Sequence, residues 1–375
     1  MVSRFLPRLL AWYAANGRDL PWRHTRDPYA IWLSEIILQQ TRVAQGMDYW
    51  RRFMEVYPTV ESLAKASEDD VLRLWQGLGY YSRARHLHAA ARQIVAEGGF
   101  PNTLGEIRRL KGVGDYTAAA IGAFAFGLPV MAIDGNAYRV LSRLNGVATP
   151  INTGEGKHEF EILANEAFGI ADPAEGEVDM SMAEPDEERL RPANAFGETF
   201  YGMANSAMMD FGSLVCTPKS PACLLCPFAE DCIALRSHQV EQLPVKLKKL
   251  KIRSRHFRYY YIRCNGQTAI HQRGAGDIWQ GLWEPLMVEE AESMQAAKAP
   301  QQPVLPWLAQ LSPRLLRAGV KHVLTHQVIH ADFYLVEADS RPALPDGYIW
   351  IAETDIDHYA VPRLVERLLT SLPDK

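Results

Sequence analysis

Cysteine is scarce in this 375-residue chain, with five residues in all, and no apolar run is long enough for a bilayer. The longest uncharged stretch, Thr117 to Ile133, is interrupted by Gly127 and Pro129, whereas a membrane-spanning helix needs about 20 consecutive apolar residues. No membrane partner is expected. No secretory signal precedes the first helical segment, Phe5 to Ala15, so the expected location is the cytoplasm, where thiols stay reduced. Positive charge is not in excess either: the formal net charge is −4, which taken alone argues against a polyanionic partner. That deficit is local. Asp172 to Glu188 carries eight carboxylates and no Lys or Arg, and without it the balance turns mildly positive. The acidic stretch from Asp172 to Arg191, with its Met and Pro residues, reads as a disordered surface loop.

What remains is a globular composition, 47% apolar and 22% charged, in a chain long enough for two domains. Its organising stretch is EIRRLKGVGDYTAAAIGAFAFGLPVMAIDGN, from Glu106 to Asn136. Leu104 to Leu110 has helical spacing, Gly112 and Gly114 interrupt it, and Asp115 opens an Ala-rich helical run from Tyr116 to Phe126. The spacing predicts helix, hairpin, helix. Glycines here permit positive φ and leave N–H groups at the start of the second helix free to meet an anion such as a phosphate. Asp134 is placed to cap a further helix over Asn136 to Leu144.

Upstream, Arg18 to Arg23, RDLPWR, reads as an extended segment fixed by Pro21, with Trp22 either a buried anchor beside solvated arginines or a wall of a nucleic-acid site. Tyr29 to Tyr49 reads as one helix, in which Glu35 is flanked by Trp32, Leu33, Ile36 and Ile37. Desolvation by such neighbours raises a carboxyl pKa and favours a proton donor. In LWQGLGYYSRARHLHAAA, Gly77 and Gly79 break two helices and Tyr80 and Tyr81 follow the break. His86 and His88 have no Cys or carboxylate at ligand spacing and are read as surface or core residues.

Four of the five cysteines, Cys216, Cys223, Cys226 and Cys232, are spaced C-x6-C-x2-C-x5-C. In a reducing compartment such clustering indicates metal rather than disulfides, and four thiolates suit either zinc or a [4Fe–4S] cluster. Cys264 stands apart and reads as a core residue of a strand. Pro244 to Arg258 is basic; it reads as an interdomain linker that could also touch phosphate. Beyond it, HFRYYYIRCNGQTAIHQR alternates as two strands around Asn265-Gly266, and HVLTHQVIHADFYLVEA alternates again. This predicts a second, α+β domain.

Taken together, LKGVGDYTAAAIGAFAFGLPVMAIDGN, WLSEIILQQT and the cysteine spacing resemble the helix-hairpin-helix base-excision DNA glycosylase superfamily that includes endonuclease III. Bifunctional members carry a Lys nucleophile two residues after the second hairpin Gly; here that position is Tyr116, which is similar to the adenine DNA glycosylases, the MutY family. The resemblance implies an all-α helix-hairpin-helix glycosylase domain with an iron–sulfur loop over residues 1–236, a basic linker over 237–254, and a C-terminal α+β Nudix-like lesion-recognition domain over 255–375. It implies Glu35 and Asp134 as catalytic carboxylates, with Tyr116 and Asn136 shaping their site and Trp22 and Arg23 lining the pocket. Gln40 would fill the space left by a flipped base, and Tyr80 would enter the duplex beside the lesion. The Gly112 and Gly114 hairpin would grip phosphate, and Leu324, Thr325 and His326 would read the base opposite.

The family usually has Phe-Ser-His at the last positions, so the hydroxyl is kept and the ring is lost. The resemblance also selects a [4Fe–4S] cluster on Cys216, Cys223, Cys226 and Cys232. The acidic insertion departs from the family. The stretch after Trp283 lacks the REUxEE carboxylates of a Nudix hydrolase, so recognition is expected there, not hydrolysis. The implied activity is monofunctional removal of adenine mispaired with 8-oxoguanine or guanine in double-stranded DNA, by a monomer associated with the nucleoid. A lyase of the endonuclease III type, a non-catalytic iron–sulfur DNA-binding protein and a Nudix nucleotide hydrolase are the rival readings.

Overall fold

The computed structural model describes residues 2–170, 191–247, 252–290 and 305–373. The acidic stretch from Asp172 to Leu190 and the centre of the basic run, 248–251, lie outside them. The chain divides into two compact units, Met1–Lys65 with His86–Lys248, and Ala66–Arg85 with Lys249–Lys375.

The first unit is helical. It contains α1 (Val2–Asn16), α2 (Pro28–Leu38), α3 (Val43–Val56), α4 (Val60–Lys65), and, after residues 66–85 have left for the other unit, most of α6 (Ser82–Ala96). It continues with α7 (Leu104–Arg109), α8 (Asp115–Phe126), α9 (Gly135–Asn145), α10 (Gly154–Phe168), α11 (Phe200–Leu214) and the short α12 (Ile233–Arg236). Here α5 (Glu68–Leu74) is the helix of residues 66–85. Local signals set most ends: Asp27 caps α2 by accepting from the Tyr29 N–H, and α8, α9 and α10 stop at Gly127, Gly146 and Gly169, all left-handed. Among the described residues no helix is long and apolar enough to cross a membrane.

Two expectations change here. The single helix read over Tyr29 to Tyr49 is two, because Gln40 adopts φ +55° and ends the first. No Gly or Pro marks that break. The RDLPWR segment is extended at Leu20 but then winds into a 3-10 turn over Pro21–Arg23.

α2 is the axis of the unit: every residue from Tyr29 to Ile37 is buried. A helix apolar all round is an interior helix, and whatever polar group it carries is carried into the interior with it. A second cluster, joining Phe5, Leu9, Phe160, Met208 and Phe211, packs α1, α9, α10 and α11 together.

The second unit holds a seven-stranded mixed sheet in the order β3-β2-β1-β6-β5, with β4 on β1 and β7 on β2. Its strands are β1 (Arg253–Cys264), β2 (Gln267–Gln272), β3 (Trp283–Glu284), β4 (Leu286–Glu290), β5 (Arg314–Val323), β6 (Gln327–Glu337) and β7 (Tyr348–Ala352). β1 and β6 run parallel from Arg253 beside Gln327 to Arg263 beside Glu337, and the other pairs are antiparallel. Cys264 is buried at the end of β1, as read from the sequence. Two short helices, α13 (Pro306–Gln310) and α14 (Arg363–Leu369), accompany the sheet. Leu364, Val365 and Leu368 of α14 cover one face against Phe257, Tyr259 and Phe333.

Candidate active site

Glu35 is the eighth residue of a helix that has no solvent face, and burial pushes its carboxyl up to about 7. The Tyr116 hydroxyl donates to its Oε2 at 2.9 Å, which favours the charged form, while the charge of Asp134 opposes it. Desolvation wins. Tyr116 lies in the first turn of α8, so the helix that follows the hairpin is what delivers the hydroxyl to Glu35.

Asp134 is the N-cap of α9, as read from the sequence, and the helix starts at Gly135, one residue earlier than expected. Its Oδ1 accepts from the backbone N–H groups of Asn136 and Ala137, both at 2.8 Å, and its Oδ2 accepts from Asn136 Nδ2 at 2.6 Å. Burial raises this carboxyl from its usual range, and the three N–H donors pull against that rise. Asn136 is held in turn: Arg139 Nη2 donates to its Oδ1 at 2.7 Å and to the Gly212 carbonyl at 2.6 Å, and Arg139 Nε donates to the Cys216 carbonyl at 2.6 Å. A hydrogen-bonded line thus runs from the cysteine loop to Asp134.

Trp22, Arg23, Glu35, Gln40, Tyr116, Asp134 and Asn136 all line one cavity of about 590 Å³. Arg23 is not the solvated charge weighed in the sequence. It is buried, bonded through Nη1 and Nη2 to the two Asp210 oxygens at 2.9 Å each, and Arg18 bonds the same carboxylate. Its guanidinium is spent on structure.

The sequence reading missed Glu198. This buried residue lines the same cavity and accepts from Tyr13 at 3.0 Å, Ser206 at 2.5 Å and Asn194 at 2.6 Å. It follows the acidic insertion in no periodic pattern, and of its partners Tyr13 is remote in sequence.

In the hairpin, Gly112 takes φ +78°, and a Cβ there would come within 2.6 Å of His86 Cβ. Gly112 is therefore required twice, by conformation and by packing, and His86 is its floor. Gly114 corrects the expectation of two left-handed glycines: it is extended, with φ −103°, and caps α8 without a side-chain bond. The first N–H groups of α8 thus have no side-chain cap from Gly114. Gly114 lines a second cavity of about 570 Å³ that also includes Tyr116.

Cys216, Cys223, Cys226 and Cys232 are unbridged and ring a small cavity of about 30 Å³ together with Arg143. Among the described residues no group of three or more His, Cys, Asp or Glu is arranged to hold a metal ion. Burial pushes the Cys226 thiol up to about 11 and raises Cys232, with the neighbouring thiols adding to both. Four thiols so crowded lose their protons readily only around a cationic centre, and Arg143 Nη1 stands 3.5 Å from Cys216 Sγ.

In the second unit, Leu324, Thr325 and His326 form the turn between β5 and β6, closed by Leu324 N–H to the Gln327 carbonyl at 2.8 Å. Thr325 and His326 are exposed, and Leu324 packs partly against the sheet core. Tyr80 has φ +48° and is 51% exposed. Its hydroxyl lies 2.8 Å from Thr325 Oγ1.

Residues 33–165 match the model of the HhH-GPD superfamily base excision DNA repair proteins, and residues 258–371 match that of the NUDIX domain. The helical unit with its hairpin and buried carboxylates is thus that of a base-excision DNA glycosylase, joined to a Nudix-like domain. The chain is 31% identical over 433 residues to the adenine DNA glycosylase of Mus musculus, covering 100% of this chain and 78% of that protein. It is 37% identical over 254 residues to that of Homo sapiens, covering 64% of this chain and 41% of that protein. The chain thus spans less than half the length of the human relative in that alignment. A solved thermostable thymine-DNA glycosylase is similar with a TM-score of 0.49 at 25% identity, covering 63% of this chain and 96% of that one. The chain belongs to the adenine DNA glycosylase family and is a DNA glycosylase, a hydrolase of base excision repair.

Proposed function

We propose that this chain hydrolyses the N-glycosidic bond of adenine placed opposite 8-oxoguanine or guanine in duplex DNA and leaves the abasic strand intact. The observation that carries this reading is Glu35, a buried acid at about 7 in the same cavity as a capped aspartate. Adenine inside a duplex is out of reach, so it must be flipped into a pocket at a cost of a few kcal/mol. Glu35 then protonates the base at N7, which makes it a leaving group. Tyr116 fixes the acid through Oε2, so Oε1 is the oxygen that meets the base. Asp134 stabilises the oxocarbenium-like sugar, the role of the second carboxylate in glycoside hydrolysis. Its three N–H donors keep that charge oriented, and Asn136 holds its shape.

Tyr116 stands where a lysine nucleophile would have to be, so no Schiff base forms with the sugar. The four cysteines would hold a [4Fe–4S] cluster, to which they fit as a set of four thiols with no other donor type. That group supplies a fully thiolate-bound scaffold rather than an open Lewis-acid position. From this loop Arg139 reaches Asn136, which is how an ordered loop bears on Asp134.

Single-turnover cleavage of a duplex with adenine opposite 8-oxoguanine tests the reading, with strand scission scored before and after alkali. Scission confined to the alkali-treated sample is expected. Efficient borohydride trapping of a covalent complex would overturn it.

A further inference from the structure

Residues 66–85 lie in the helical part of the sequence, yet they pack as part of the second unit. The bonds that fasten them are spread along the segment. Gln272 Nε2 donates to Asp69 Oδ1 at 2.9 Å, Gln76 Nε2 to Glu366 Oε1 of α14 at 2.9 Å, and Arg85 Nη1 to the Gln280 carbonyl at 2.8 Å. Gly281 is left-handed and faces Leu72, Glu68 and Arg85, where a Cβ would press on Leu72 at 3.1 Å. Glu366 is itself set by Arg363, whose Nη1 donates to Oε2 at 2.6 Å.

Between the Gln76 and Arg85 anchors lies the break that carries Tyr80. Gly77 and Gly79 take φ +96° and +72°, the Trp75 ring N–H donates to the Gly79 carbonyl at 2.9 Å, and the Arg83 guanidinium stands over both Trp75 and Tyr80. A non-glycine residue with positive φ is strained and persists only where its surroundings hold it. Tyr80 is such a residue, and the holding comes from both sides of the break.

We propose that Gln76, Arg85 and Glu366 are positioning residues that fasten the Tyr80 break to the base-reading domain, so that entry of Tyr80 into the duplex and reading by Thr325 occur as one step. This rests on the reading of Thr325 and Tyr80 given above. It makes the preference for 8-oxoguanine depend on a bond in α14 that touches no DNA. It also makes the cost of ordering Tyr80 fall on folding rather than on binding.

The test uses the full-length, cluster-containing protein and a duplex with 2-aminopurine beside the 8-oxoguanine, whose fluorescence reports stacking by Tyr80. Gln76→Ala and Glu366→Ala should each lower the ratio of single-turnover rates, 8-oxoguanine over guanine, by roughly threefold to tenfold, the worth of one hydrogen bond. The rate opposite guanine should stay as in the parent. The double substitution should lose no more than either single one, and Gln76→Lys, which can still donate to Glu366, should restore both the ratio and the fluorescence response. Full preference and full response in both single variants, or losses that simply add in the double variant, would overturn the proposal. Thr325→Ala run alongside separates the two levels. If it keeps the preference, the reader assignment falls, and the 2-aminopurine response of Gln76→Ala alone decides the fastening. If it loses the preference while Gln76→Ala does not, the fastening falls and the reader stands.

Discussion

The second unit matches its carboxylates to arginines, as the first does for Asp210 with Arg18 and Arg23, but Glu35 of the first unit is treated in the opposite way. In the second unit Glu284 is bonded by Arg273 at 2.6 Å, Arg255 bridges Asp277 and Glu289 at 2.7 and 2.5 Å, and Glu353 takes Arg263 at 3.0 Å. The Arg255 guanidinium holds Asp277 down at about 2. In the first unit Glu35 is buried among apolar residues and accepts from the neutral Tyr116 phenol, so it stands at about 7. Asp277, matched to Arg255, is a permanent anion already neutralised, of use to architecture and poor as an acid. A carboxylate left with a hydroxyl is a proton donor near neutral pH. The difference supports the chemistry proposed for the helical unit.

The largest effect that can break this contrast is on turnover. Glu35→Gln keeps shape and removes the proton, so base release should fall by about 10²–10⁴-fold, the usual worth of general acid catalysis, with duplex binding retained. Single-turnover assays and a binding titration check it together. Glu284→Gln should do the reverse, sparing the chemical step while removing one of the two carboxylates that bond the buried Arg273, the other being Asp277. Losing a hydrogen bond to a charged group costs about 1.5–3 kcal/mol, which urea unfolding of the full chain would register.

Linkage gives a third difference. The folded pKa of Glu35, about 7, lies above the 4.5 of an ordinary glutamate, so its contribution to stability is intact below the unfolded value and is lost as pH rises through 7. At pH above that, Glu35→Gln should therefore be more stable than the parent, by up to about 3 kcal/mol. Equal stabilities at alkaline pH would show that Glu35 is not desolvated. The smallest effect is on selectivity: Thr325→Ala removes one hydroxyl and should cost roughly threefold to tenfold in preference for 8-oxoguanine over guanine. Because residues 66–85 pack with the second unit, such point changes separate reading from chemistry more cleanly than deleting the sheet.

The sequence made the chemistry legible where a residue's own neighbours decide its state. Trp32, Leu33, Ile36 and Ile37 already foretell a desolvated Glu35, and Asp134 followed by Gly135 and Asn136 foretells a cap. The hairpin was legible through Gly112, though Gly114 proved extended. What the sequence hid is decided by distant partners. The break at Gln40 is imposed without Gly or Pro, Arg23 is drawn inward by Asp210, and Glu198 is met by Tyr13. The sheet of the second unit was half legible: β1, β2 and β6 alternate, whereas β5 carries two irregularities in register and β3 is two residues long. The allegiance of residues 66–85 was invisible, since no local pattern tells which of two domains a helix will face.

The central claim is that Glu35 supplies the proton in one unit while Thr325 reads the opposite base in the other. It is tested most directly by the pH dependence of single-turnover adenine release, in the parent and in Thr325→Ala, from duplexes bearing 8-oxoguanine or guanine opposite. The rate should be flat in acid and fall as pH rises through about 7 in all four combinations, with Thr325→Ala lowering the level for 8-oxoguanine and leaving the midpoint where it was. A rate that is level through neutral pH, or a midpoint that moves when Thr325 is changed, would contradict the account.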